Sequence, residues 1–176
     1  MGDFDNKRKK SSRKLSEDQM AGIMLDYSAC WEVGELKAIQ FPAVLRELIQ
    51  LALVDCVLCL QCTACNKEVK SFLEENKMAE RFKIQLGTAY PGPDVYHLPC
   101  SKEVFEKLAH FAELFTIPEI CDHLHICQSG DVRLEWFDIS SRSLYISKKV
   151  PEEYVKLLCK RLGCVYTDGS IPGWKS

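Results

Sequence analysis

The sequence predicts an α+β protein in which N-terminal helices pack with a C-terminal antiparallel β-meander plus helix. Helical apolar spacing dominates up to about residue 118, alternating strand-like runs separated by a turn follow it, and a capped helix stands near the end. We therefore expect a disordered basic tail over residues 1–15, a mainly helical region with a cysteine-rich segment over 16–118, and a meander plus helix over 119–176. The last two regions are expected to share one core.

Four helices are predicted by their start signals. "SEDQ" is a capping box at Ser16, and an apolar stripe runs from there to Tyr27. Pro42 suits the first turn of a second helix, which is apolar over most of its circumference and should be central. Asn66 and Ser101 are caps for the helices "NKEVKSFLEENKMAERF" and "SKEVFEKLAHFAELF", with a strand "RFKIQLG" and a turn "YPGPDVY" between them.

The last third contains three strands and a fifth helix. "EICDHLHI" and "VRLEWFDI" are strand-like runs joined by the hairpin signal "CQSGD", and "SLYIS" follows as a third strand. The helix has Pro151 near its start and stops at Gly163. "CVYTDG" then returns as a short strand.

Charge is distributed unevenly along the 176 residues. Six of the 23 lysines and arginines lie in the first 20 residues, and the remainder carries 17 basic against 21 acidic residues. The body lacks the positive surface that phosphate backbones require, so nucleic-acid contact is expected only through the tail. The run "KRKKSSRK" fits a nuclear-import signal or, alternatively, a solvated tail that aids solubility.

The ten cysteines would suit a disulfide scaffold in a secreted protein, but the N-terminus has no apolar signal segment. We expect reduced thiols and an intracellular location, nuclear, cytoplasmic or both. The most apolar window, "FPAVLRELIQLALVDCVLCL", carries Arg46, Glu47 and Asp55, so no membrane contact is expected.

Four cysteines recur at three-residue intervals in "DCVLCLQCTACNKEV": Cys56, Cys59, Cys62 and Cys65. On a helix, Cys65 would lie opposite Cys56 and about 13.5 Å further along the axis. On a strand, successive cysteines would alternate between faces. Neither arrangement can hold four ligands roughly 2.3 Å from one zinc ion. The spacing also departs from the bacterial iron–sulfur run.

A smaller metal site is compatible with this geometry. "CTAC" (Cys62, Cys65) and "HLPC" (His97, Cys100) each run directly into a predicted helix. Such knuckles present two ligands each, so these four residues predict a Cys3His zinc site. The alternative is that the thiols pack in an apolar core, where free cysteines are common.

Two further constellations concern the histidines. Cys121, His123, His125 and Cys127 would share one side of a strand but span about 20 Å, too far for one ion. We expect His123 and His125 on the exposed face of a half-buried strand. No catalytic residues are assigned, because no third orienting group or oxyanion motif accompanies a cysteine and histidine.

Three segments resemble the papillomavirus early protein six family, which consists of zinc-binding adaptors. "FPAVLRELIQLALVDCVLC" is similar to the lead into that family's first C-x-x-C, "VYHLPCSKEVFEKLAHF" to its second knuckle and linker helix, and "EICDHLHIC" to the opening of its second zinc domain. The likeness touches about half the chain. Only part of the pattern of four C-x-x-C pairs is present, because His97 pairs with Cys100 and Cys127 has no partner at residue 130. The resemblance implies an adaptor that captures leucine-rich peptide motifs, with at most one intact zinc site.

The sequence therefore predicts a non-catalytic interaction or regulatory adaptor that binds another protein. The central helix and the exposed meander would form its binding surfaces, and one structural zinc ion would act as a staple. Two alternatives stay open: a thiol- or metal-dependent enzyme using Cys100 and His97, and a small bacterial inhibitor or immunity-type protein. Each of these classes is compatible with a compact α+β body.

Overall fold

The computed structural model describes residues 22–34, 36–51, 55–88, 92–139 and 141–174. The basic tail and the predicted helix start at Ser16 lie outside these residues. The predicted α+β class is confirmed, because helices pack on a seven-stranded sheet whose strand pairs are all antiparallel.

The sheet has the strand order β3-β2-β4-β5-β6-β1-β7. Strands from both halves of the chain therefore form one layer. The strands are β1 (Cys30–Gly34), β2 (Cys56–Cys62), β3 (Asp94–Pro99), β4 (His123–Gln128), β5 (Asp131–Trp136), β6 (Leu144–Ser147) and β7 (Val165–Asp168).

Four α-helices lie among the described residues: α1 (Phe41–Leu48), α2 (Lys67–Asn76), α3 (Lys102–Leu114) and α4 (Glu152–Leu162). The predicted caps are confirmed: the Asn66 side chain accepts from Glu68 N, and the Ser101 side chain accepts from Val104 N. Gly163 ends α4 in the left-handed conformation, with φ 65°. The longest of these helices has 13 residues, and none combines the length and apolar character needed to cross a bilayer.

The two faces of the sheet are covered differently. Side chains at alternate strand positions, such as Leu58 and Leu124, join the helices in one large buried cluster that runs from Val33 to Cys159 in the sequence. The other face carries a smaller cluster that includes Leu25 and Cys59. Loop segments 22–27 and 78–88 cover this second face, so the sheet is buried on both sides.

Several sequence predictions were wrong in detail. The stripe that ends at Tyr27 is not helical over residues 22–27, because Ile23 forms a parallel bridge with Ile84 and Leu25 is buried against the sheet. The predicted strand "RFKIQLG" contributes only this bridge. Strands β1 and β3 were not predicted, and α1 and α2 end earlier than expected, at Leu48 and Asn76. At each of these places, contacts with distant segments of the chain determine the secondary structure more strongly than the local sequence preference does.

Candidate functional site

The structure brings two of the four predicted zinc ligands together. Cys62 ends β2, and Cys65 stands one residue before the cap of α2. Both sulfur atoms lie near the carbonyl oxygen of Ile120, at 3.3 Å for Cys62 and 3.7 Å for Cys65. The C-x-x-C turn therefore places these two thiols side by side.

His97 and Cys100 lie elsewhere. His97 is opposite Cys59 in the β2–β3 register, three residues from Cys62, and its ring packs edge-on against Phe82 on the loop-covered face. Cys62 points to the helix-covered face. Cys100 follows β3 and contacts Cys56, at the end of β2 that lies about 20 Å from Cys62.

The four residues do not meet in this arrangement, because the ligands of one zinc ion must all lie about 2.3 Å or less from it. Among the residues that the structure describes, no group of three His, Cys, Asp or Glu side chains is arranged to hold a metal ion. Zinc binding by this chain stays a prediction. This geometry does not support the enzyme alternative either, because Cys100 and His97 lie on opposite faces of the sheet.

None of the ten cysteines, all of which are described, forms a disulfide bond. Eight of them instead form four pairs of neighbouring thiols. The pairs are Cys56 with Cys100, Cys59 with Cys127, Cys62 with Cys65, and Cys159 with Cys164. The expectation of thiols packed in an apolar core therefore describes most of them well, because seven of the ten cysteines are buried.

The predicted exposure of two histidines was wrong. His123 and His125 are both 0% exposed, because loop segments cover the face of β4 on which they lie. His123 makes two hydrogen bonds: Nδ1 accepts from the Asp138 amide at 2.9 Å, and Nε2 lies 2.8 Å from Thr88 Oγ1. A Cβ atom at Gly87 would lie 2.5 Å from the His123 ring, so only glycine fits where segment 78–88 passes over His123.

The stability of the protein should depend on pH through His123. Burial lowers the pKa of His123, and the neighbouring Asp138 carboxylate only partly opposes that effect. The unfolded chain then binds a proton that the folded chain does not, so the free energy of unfolding should fall as pH drops below about 6.5. The slope from one such group is at most about 1.4 kcal/mol per pH unit.

Urea denaturation between pH 8 and pH 5.5 measures this dependence. His123→Asn keeps an acceptor for the Asp138 amide and cannot titrate. In this variant the free energy of unfolding should therefore change less with pH below pH 6.5. An equal slope in both proteins would show that His123 does not carry the effect.

A buried polar cluster lies beside His123 on the same face. Glu135 is 0% exposed and accepts hydrogen bonds from the Tyr27 hydroxyl and, at 3.3 Å, from the Leu25 amide. His125 Nε2 lies 3.5 Å from Glu135 Oε2, an ion-pair distance, while neither of its ring nitrogens makes a hydrogen bond within the described residues. Burial and the Glu135 carboxylate raise the pKa of Tyr27, which keeps the phenol a donor.

A pocket opens directly above this cluster, where β5 connects to β6. Its volume is about 320 Å³, and it is lined by Tyr27, Phe137, Ser141, Arg142, Ser143 and Tyr145. The Phe137 ring packs edge-on against His125, with centroids 5.0 Å apart, and the Tyr27 and Tyr145 rings meet at 5.2 Å. The pocket therefore has aromatic walls that rest on buried polar groups.

Hydrogen bonds fix the connection that forms this pocket. Asp138 has a left-handed backbone, with φ 45°, and its amide is held by His123. The Arg142 guanidinium pairs with the Asp138 carboxylate at 2.8 Å, and Trp136 Nε1 donates to the Arg142 carbonyl at 2.8 Å. Reasoning from sequence missed this site, because Glu135 alternates with apolar residues in "VRLEW" as a solvent-facing strand residue would.

Comparisons with protein-family models, with curated proteins and with solved structures return no match for this chain. The resemblance to the papillomavirus early protein six family therefore stays a prediction. The choice among adaptor, enzyme and inhibitor depends on the geometry of the chain itself.

Proposed function

We propose that this chain is a non-catalytic interaction protein that binds a peptide segment of another protein in the pocket between β5 and β6. The observation that carries the proposal is the aromatic lining of that pocket, with Tyr27, Phe137 and Tyr145 around a space of about 320 Å³. We infer that one large apolar or aromatic side chain of the partner inserts there.

The residue types at the pocket support protein binding. Tyrosine and arginine are enriched in protein interfaces and among their energetically dominant residues, because each combines a large contact surface with hydrogen bonding. Arg142 is exposed at the rim, and Ser141 and Ser143 add hydroxyl groups beside it. The Asp138 carboxylate engages Nε of the Arg142 guanidinium, so its two terminal NH2 groups favour a partner segment in which an acidic residue flanks the inserted side chain.

Preorganisation supports the same proposal. The hydrogen bonds from the Asp138 amide to His123 and from the Trp136 indole to the Arg142 carbonyl hold the connection before any partner arrives. A surface that is already ordered loses less conformational entropy on binding than a mobile loop does. The pocket can therefore contribute affinity from a small contact area.

Selection from a displayed random-peptide library on the purified full chain tests the proposal. Selected peptides should share a large apolar or aromatic residue with an acidic neighbour. Tyr145→Ala should weaken their binding by roughly 10- to 100-fold, the loss of about 1–3 kcal/mol that is typical of an interface anchor. Isothermal titration calorimetry measures the change.

Tyr154→Ala is the matched control, because Tyr154 is an exposed tyrosine on α4, outside the pocket lining. It should change the affinity less than about twofold. Ser143→Trp provides a second test that fills the pocket without removing a wall, and it should weaken binding at least as much as Tyr145→Ala does. Peptides that bind Ser143→Trp and Tyr145→Ala as tightly as the original chain would reject this pocket as the binding site.

A further inference from the structure

The partly exposed cysteines share a common arrangement. Cys65, Cys100 and Cys164 are the three that are not buried, and each is paired with a buried cysteine. Their partners are Cys62, Cys56 and Cys159, respectively. Thiol–disulfide exchange needs one accessible thiol and a second thiol within reach of it. Three pairs meet this requirement, so their chemical environments decide which of them reacts.

The Cys62–Cys65 pair occupies the tightest connection of the three. Only Thr63 and Ala64 separate the two cysteines, between the end of β2 and the start of α2. The Thr63 amide and hydroxyl both donate to the Asp122 carboxylate at 2.7 Å, which fixes the turn. Both sulfur atoms meet at the Ile120 carbonyl. Bond formation between them therefore requires little movement of the backbone.

We propose that Cys62 and Cys65 form a redox-active dithiol, which small disulfides of the glutathione class oxidise to an intramolecular disulfide bond. Cys65 is the accessible thiol, and its thiolate attacks the small disulfide first. Cys62, only 3% exposed, is the resolving thiol that then attacks Cys65. This activity is independent of the peptide-binding pocket, since it uses different residues on the other face of the sheet.

Electrostatics around the pair assign these two roles. The neighbouring Cys62 thiol lowers the pKa of Cys65, and the Lys70 ammonium lowers it further, against the effects of burial and of the Asp94 and Asp122 carboxylates. The N-terminus of α2, whose cap Asn66 directly follows Cys65, favours a thiolate there as well. The neighbouring Cys65 and burial raise the pKa of Cys62. Hydrogen bonding to Cys56 and burial raise the pKa of Cys100, so that thiol stays protonated.

The exchange consists of two balanced steps. The Cys65 thiol loses its proton to water, and the thiolate attacks one sulfur of glutathione disulfide; the disulfide bond breaks, and one glutathione leaves as a thiolate that takes up a proton. The Cys62 thiol then loses its proton and attacks Cys65 Sγ, which expels the second glutathione. The two cysteines are oxidised by two electrons, and glutathione disulfide is reduced to two glutathione molecules.

Alkylation of the full reduced chain by iodoacetamide at pH 7, followed by peptide mass spectrometry, measures the reactivity of each thiol. Cys65 should react at least about tenfold faster than Cys100, which serves as a matched control in the same molecule because its pKa is raised. After incubation with glutathione disulfide, a bond between Cys62 and Cys65 should be the first disulfide found.

Two serine variants separate the roles. Cys62→Ser should trap one glutathione on Cys65, whereas Cys65→Ser should leave Cys62 unmodified. Equal alkylation rates at Cys65 and Cys100 would overturn the proposal. So would one equivalent of zinc that is retained by the purified protein and released only when Cys62 and Cys65 are alkylated, because that result would make them metal ligands.

Discussion

Replacing Glu135 with alanine is expected to lower the free energy of unfolding by about 2–5 kcal/mol, because two hydrogen-bond donors are left without their acceptor. The Tyr27 hydroxyl and the Leu25 amide would lose their shared acceptor, and His125 would lose the carboxylate that lies 3.5 Å from its Nε2. Glu135 and His125 are both 0% exposed beneath loop segment 22–27, so the alanine variant leaves no polar replacement for the carboxylate there. Urea denaturation monitored by circular dichroism measures the loss.

Glu135→Gln is the informative companion to this change. Its amide oxygen can still accept a hydrogen bond, so it should destabilise the chain by less than the alanine variant does. Glu80→Ala, at an exposed glutamate, should change the free energy of unfolding by less than about 0.5 kcal/mol. A loss below 1 kcal/mol for Glu135→Ala would contradict the buried network.

Replacing Trp136 with alanine is expected to cost about 3–5 kcal/mol as well, for a different reason. The indole is 1% exposed and packs edge-on against Phe41 of α1, with centroids 5.9 Å apart. The change would leave a large cavity between β5 and α1. It would also remove the hydrogen bond that holds the Arg142 carbonyl at the pocket.

Trp136→Phe separates packing from hydrogen bonding. It keeps most of the apolar volume and loses only the indole donor, so it should cost about 1–2 kcal/mol. Amide hydrogen exchange in segment 137–143 should increase in this variant, because the connection loses one of its anchors. Unchanged exchange in that segment would show that the Trp136 hydrogen bond does not order the pocket.

The sequence was informative where local signals and tertiary structure agree. The caps at Asn66 and Ser101 and the stop at Gly163 depend on residues a few positions away, so they could be read directly. The hairpin between β4 and β5 was equally legible, since Ser129 and Gly130 both have positive φ, as a tight turn requires.

The two proposed functional regions were harder to predict because each depends on contacts between distant segments. His123 and His125 have the alternation of an exposed strand face, and only the cover from segments 22–27 and 78–88 buries them. The combination of Cys62 and Cys65 with His97 and Cys100 was a plausible ligand set. Strand register places them apart in this structure, because it pairs His97 with Cys59 and brings Cys100 to Cys56.

Amide hydrogen exchange of the full chain, measured with and without a peptide selected for binding, tests the proposed function most directly. The account predicts added protection in residues 136–146, where β5 connects to β6, and no added protection in α4. Protection confined to α4, or no difference in residues 136–146 at saturating peptide, would contradict a binding pocket formed by Tyr27, Phe137 and Tyr145.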